Sequence, residues 1–273
     1  MKIHVNEAED QKTALAKQAQ ALKANNKSMD SLVQALNNLT PQQLDLLELG
    51  FGDNTLATDM ETEEKPLKVK DLRPTQNEID VGKSLSFQLD PKDPEATKSI
   101  LKGGPVTVNL PLVVYEYKGK YYIVDGHHRW SQVYLLNPNC EINCIVFKNS
   151  AGGIAQDPVD MLRDFQGAIA VANNGKVPSA TVKQGMNIFD WSDEQLRDYI
   201  DKNITDKMAQ AYSEYYDSAV KKDAIAKTIV ANADLMRSLN TPVNGAPSRA
   251  VMPQTDTGNN AGLKTAMKGM TDI

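Results

Sequence analysis

Cysteine is nearly absent from this chain of 273 residues, which has only Cys140 and Cys144, with Glu141, Ile142 and Asn143 between them. Two thiols at that spacing make neither a disulfide framework nor a complete zinc site, so a cross-linked secreted scaffold and a structural zinc module are both excluded. Free cysteines are usually inside, and both are expected to be buried. Long apolar runs are missing as well. No stretch approaches the roughly 20 residues that a helix needs to span a bilayer, and the first residues are polar, unlike a signal peptide or anchor. A cytoplasmic protein that does not enter a membrane is the expectation. A basic excess is the third absence, since 30 Lys and Arg stand against 35 Asp and Glu for a formal net charge of −5. There is no basic tail and no helix-turn-helix signature. Both facts weigh against a duplex-DNA surface, where several Lys or Arg must meet phosphates on one face.

The composition that remains, 41% hydrophobic and 24% charged, is enough for a folded domain of ordinary size with helical additions. Its charge is unevenly spread. Residues 1–64 hold 5 basic and 11 acidic side chains, residues 65–148 hold 12 and 9, and residues 149–273 hold 13 and 15. The middle segment alone is positive, by three charges, which favours a nucleotide without making a nucleic-acid surface.

That middle segment contains the densest chemistry of the chain, in residues 122–131. The β-branched and aromatic run Lys120, Tyr121, Tyr122, Ile123, Val124 reads as a strand. Trp130, Val133, Tyr134 and Leu136 recur at helical spacing until Asn137 and Pro138 stop the pattern. Between strand and helix lie Asp125, Gly126, His127, His128 and Arg129. Ionisable groups packed this closely at a strand end are costly to arrange unless something binds there. Gly126 sits where the backbone turns sharply and a ligand can come close. A helix that starts over His127 and His128 offers amides with no partner inside the helix and the positive end of its dipole, and Arg129 adds a forked, permanent charge. Phosphate suits such a seat. The rival reading is a purely structural one, in which the histidines cap the helix and bond to neighbouring carbonyls, and Asp125 only caps the turn.

The order of features around this turn resembles the ParB/sulfiredoxin superfamily. Residues 67–76, from Leu67 through Pro74 to Gln76, are similar to the family's first strand and its L-x-P-x-Q box. Residues 97–104, ending in Lys102, Gly103 and Gly104, are similar to the helix and glycine turn that follow. Leu110 to Val114 resembles the next strand, Lys118 and Gly119 form a hairpin, and residues 125–130 stand in the place of the family's Gly-x-x-Arg turn. Residues 141–147 look like the closing strand. The resemblance covers about residues 65–148 and says nothing of either flank.

The resemblance implies an α/β (α+β) core with a small mixed sheet, here with helical N- and C-terminal extensions. Sulfiredoxins carry a reactive cysteine in the turn, where this chain has His127, so sulfinic-acid reduction is not implied. Partition ParB proteins carry Gly-Glu-Arg-Arg, of which this chain keeps the glycine and the final arginine, Arg129. Members with an Asp-Gly-His-His-Arg turn include phage-encoded ParB-like proteins, which would place this chain in the host cytoplasm, and the free serine kinase group. The implied activity is nucleotide hydrolysis or phosphoryl transfer with ATP or another nucleotide and Mg²⁺. Gly126, His127, His128, Arg129, Gln76, Lys102 and Gly103 would hold the phosphates, and Asp125 or Glu78 would act as the catalytic carboxylate. The alternative is a non-catalytic ParB-like nucleotide- or DNA-associated module or switch. A third reading is a metal-dependent nuclease. No metal ligands are assigned for it, because adjacent histidines on one turn seldom point at a common ion and no third ligand recurs at regular spacing. A helix C-cap with a terminal lysine would explain Lys102 and Gly103 equally well.

The flanks read as scaffolding. Residues 1–64 form a helical N-terminal arm: two short amphipathic helices in residues 7–38, another from Thr40 through Leu49, and an acidic linker through Glu61, Glu63 and Glu64. Their leucine stripes suit packing on the parent domain or on a protein partner. Residues 149–239 form a helical C-terminal region, with helices opening at Asp157, at the Ser192 cap and at Asp206, the last running to about Leu239. Phe189 and Trp191 would staple the Ser192 cap to the body, and Trp130 is assigned to the core. Residues 240–273, rich in Gly, Pro, Asn, Ser and Thr, are expected to form a mobile tail.

Overall fold

The computed structural model describes residues 60–149, 157–159, 161–162 and 186–246. The expected helices within residues 7–49, the remainder of the helix opened by Asp157, and the tail beyond residue 246 lie outside the described residues. The chain divides into two compact units. One comprises residues 63–147 with 182–246, and it carries the candidate site and the helices named below.

Five strands form one mixed sheet: β1 (Met60–Lys68), β2 (Leu72–Pro74), β3 (Leu112–Tyr117), β4 (Lys120–Asp125) and β5 (Glu141–Asn149), in the spatial order β1-β5-β3-β4-β2. The hairpin β3–β4 is antiparallel, with Tyr115 opposite Tyr122, and its two-residue turn uses Lys118 at φ 52 and Gly119 at φ 70. Both central residues at positive φ match the right-handed twist of the strands. β2 runs parallel to β4, with Pro74 beside Ile123. Their C-terminal ends therefore leave the sheet on the same side.

Among the described residues, six delimited helices accompany the sheet: α1 (Val81–Leu89), α2 (Pro94–Lys102), α3 (His127–Leu136), α4 (Asp193–Asn203), α5 (Asp206–Tyr216) and α6 (Lys222–Leu239). A small mixed-sheet α/β core is what the residues led us to expect. The caps are explicit in sequence. Asp80 and Asp93 accept amides from the first turns of α1 and α2, Pro94 opens α2, and Ser192 forms a capping box with Gln195 at α4. The core lies where Val114 and Ile123 of the sheet meet Leu85, Ile100, Trp130, Val133 and Ile229 from the helices. Trp130 is fully buried and its indole N–H donates to Val69 O at 2.8 Å.

Three expectations are corrected. Glu61, Glu63 and Glu64 belong to strand β1 rather than to a linker; β1 is an edge of the sheet, where charged side chains are tolerated because one side of the strand has no neighbour. The helical pattern from Asp206 to Leu239 is two helices, not one. Asp217 adopts a left-handed φ of 49, and Ser213 receives Ser218 N–H on its carbonyl and Val220 N–H on its hydroxyl, which ends α5. Finally, the segment 240–246 is anchored rather than mobile. Asn240 is buried, accepts the Tyr134 hydroxyl at 2.8 Å and donates to Lys70 O and Leu72 O. Helices α4 to α6 thus share one compact unit with the sheet.

Candidate functional site

Strand β4, between β3 and β2, ends at Asp125, and Gly126 reverses the chain at φ 102 and ψ 21 as the N-cap of α3. Only glycine enters this region without strain. A second constraint acts there. A methyl group on Gly126 would collide with Leu112 Cδ2 and lie 2.9 Å from a guanidinium nitrogen of Arg129. The space beside the glycine is therefore filled by the chain's own side chains.

Arg129, one helical turn on, reaches back across that space. One terminal nitrogen donates to Leu110 O at 2.6 Å and to Pro111 O at 2.8 Å, and the other donates to Asp125 Oδ2 at 2.5 Å. The pair is largely buried, with side-chain exposures of 15% and 16%. Three of the five guanidinium N–H groups are thus engaged within the fold. They tie the approach to β3 to the end of β4.

The two histidines face the connection between β2 and α1. His127, 2% exposed, accepts the Thr75 backbone N–H on Nε2 at 3.1 Å, and the Thr75 hydroxyl donates to Ile123 O at 2.6 Å. His128, half-buried, accepts the Asp80 N–H on Nε2 at 3.2 Å. A backbone N–H can only donate, so each Nε2 is an acceptor and each imidazole is neutral with its proton on Nδ1. At Nε2 both histidines thus accept amides from the segment that follows β2.

Residues 75–80 therefore form an arc pinned at both ends to adjacent residues of α3. Gln76, Asn77, Glu78 and Ile79 lie between the pins. Asn187 holds the middle, donating to Asn77 O at 3.1 Å and accepting Ile79 N–H at 3.0 Å. Gln76 is 5% exposed and its carboxamide oxygen is buried with no hydrogen-bond partner. Such a group costs free energy unless something occupies it. Glu78 is half-buried on the same arc.

Asp125, Gly126, His127, His128, Arg129, Gln76 and Glu78 thus come to one end of the sheet. Lys102 and Gly103 do not join them. Gly103 ends α2 at φ 106 and its carbonyl accepts Glu141 N–H at 2.8 Å, while Asn137, which ends α3, donates to Ile100 O and Leu101 O. They lie at the far end of α3, whose ten residues span about 15 Å. Gly103 is the C-cap of α2 and Lys102 stands in its last turn. Sequence reasoning missed Thr75, Asp80 and Asn187. Asp80 was open to detection as an N-cap, but the pairing of Asn187 with residues more than a hundred positions away leaves no local signal.

Among the described residues no group of three or more His, Cys, Asp or Glu is placed to hold a metal ion, and no helix is long and apolar enough to cross a membrane. Cys140 and Cys144 are buried, and burial pushes both thiols up to about 12. No family model, curated protein or solved structure matches the chain.

Proposed function

We propose that this chain is a ParB/sulfiredoxin-like protein that binds a nucleotide where β2 and β4 leave the sheet, with Mg²⁺ screening the phosphates. The observation that carries the reading is the buried Gln76 oxygen without a partner, set on an arc that is bonded directly to the start of α3. Ligands of α/β sheets sit outside the carboxyl ends of the strands, and neighbouring parallel strands supply two loops there. The first turn of α3 gives the positive end of a helix dipole to the phosphates. Gln76 supplies the complementary chemistry. Phosphate oxygens can only accept, whereas the carboxamide oxygen needs a donor such as a ribose hydroxyl, a base N–H or a metal-bound water. A nucleotide contains both kinds of group. In this reading His127, His128 and Arg129 act mainly through the backbone they hold in place, and Glu78, half-buried on the arc, is the carboxylate that would orient an attacking group in hydrolysis or phosphoryl transfer.

The Asp125–Arg129 ion pair favours a second reading, a nucleotide- or DNA-associated module without turnover, because the strand-end carboxylate is already engaged. Calorimetry with ATP, ADP, CTP and GTP, each with Mg²⁺, tests the binding. One nucleotide should bind, and Gln76→Leu should weaken it at least tenfold without loss of thermal stability, since the change removes an orphaned buried oxygen. Equal affinity in that variant, or no binding of any nucleotide at millimolar concentration, sinks the proposal. Phosphate release by the wild type then separates enzyme from module.

A further inference from the structure

The same arc that carries Gln76 depends on two hydrogen bonds of one unusual kind. Thr75 and Asp80, its two ends, each donate a backbone N–H to an imidazole nitrogen, and the two imidazoles are neighbours in sequence. We infer that His127 and His128 form a proton-operated latch that holds residues 75–80 against α3 at neutral pH and releases them on acidification.

The physical argument turns on what an imidazolium lacks. Neutral histidine has one donor and one acceptor nitrogen, and protonation converts both to donors. Protonated Nε2 would then face the Thr75 or Asp80 N–H donor to donor, and neither amide can change its role. The arc must give up its pins or the rings must leave. His127, being almost fully buried, has no room to turn without displacing Thr75, whose hydroxyl is itself held by Ile123 O. Two adjacent pins failing together make the response steeper than one.

Charged and titratable groups surround the pair. Glu78 and Asp80 lie on the arc, Lys83 in the first turn of α1, Asp190 beside Asn187, and Tyr199 of α4 over Gly82. On the pair's own side are Asp125 and Arg129, bonded to each other, while residues 240–246, which reach Pro74 through Val243 N–H, carry no charge. The carboxylates favour the imidazolium, while the cations and the burial of His127 oppose it. Because Gln76 lies between the pins, release of the arc would also remove it from the ligand. That consequence rests on the nucleotide reading, but the latch does not.

Amide hydrogen exchange of the full chain, expressed as protection factors so that the intrinsic effect of pH is divided out, provides the test. Thr75 and Asp80 should lose at least tenfold in protection between pH 7 and pH 5, while Ile123 and Val124 in the central strand keep theirs. The double variant His127→Gln with His128→Gln offers a carbonyl oxygen near each Nε2 position and cannot titrate, so its protection at Thr75 and Asp80 should stay within twofold over the same range. Loss of protection in the variant equal to that of the wild type, or constant protection in the wild type, overturns the latch. Should the variant fail to fold, nitrogen-15 spectra of the wild-type imidazoles decide the matter. Protons on Nδ1 alone at pH 7 and on both nitrogens at pH 5 support it, and a proton on Nε2 at pH 7 refutes it. None of these readouts involves a nucleotide, so absence of nucleotide binding would leave the latch standing.

Discussion

Replacing Arg129 by alanine separates a brace from a ligand-binding arginine. In the folded chain the guanidinium satisfies Leu110 O, Pro111 O and the Asp125 carboxylate. The variant leaves all three without that donor, and Asp125 without its cation. Breaking a buried pair from one side costs about 3–5 kcal/mol. At 15% and 16% exposure water reaches both groups in part, which places the loss near the lower end, about 3 kcal/mol. For a unit of this size that corresponds to a fall of about 6–12 °C in Tm. Denaturant titration of Arg129→Ala, Asp125→Asn and the double variant measures both the loss and the coupling, which should exceed about 1 kcal/mol for groups in direct contact. A loss below about 1 kcal/mol in Arg129→Ala, the scale of an exposed pair, refutes the argument. If that small loss came with abolished nucleotide affinity, the guanidinium would be turned to phosphate instead of to the β3 approach.

Two further outcomes follow from local geometry. Gly126→Ala combines left-handed strain with the collision against Leu112 and should cost about 2–4 kcal/mol, whereas Gly119→Ala, at φ 70 but with nothing near its Cβ position, should cost about 1–2 kcal/mol. Denaturation midpoints giving equal losses at the two glycines would show that the Gly126 contact carries no energy. Cys140 and Cys144, with thiols pushed up to about 12 by burial, should resist a thiolate-selective reagent at pH 8 in the native state and react fully after unfolding. Their folded-state values lie above the unfolded one, near 8.5, so the unfolded chain alone ionises as pH rises past that point and stability should fall with alkaline pH. Rapid native-state labelling at pH 8 would contradict the burial.

Local patterns determined much of this protein. The strand from Lys120, the glycine turn and the helix through Leu136 were legible because a β-branched run, a residue suited to positive φ and a 3.6-residue periodicity each act over a few positions. The Ser192 cap and the Gly103 stop were legible for the same reason. Helix α1 went unread although Asp80 caps it, since its buried face includes Ser84 and Gln88, whose polarity hides the stripe. Sequence order also brought Asp125 to Arg129 together on one turn, and it made a phosphate seat a reasonable expectation. It could not reveal what each group would face. Whether a guanidinium points to a ligand or to Leu110 O, and whether an imidazole donates or accepts, depends on chain segments 18 to 52 residues away. The same is true of Lys102, set about 15 Å from the turn by the length of α3. Periodicity and capping are written in neighbouring residues, but hydrogen-bond partners across the fold are fixed only when packing decides which donors and acceptors meet.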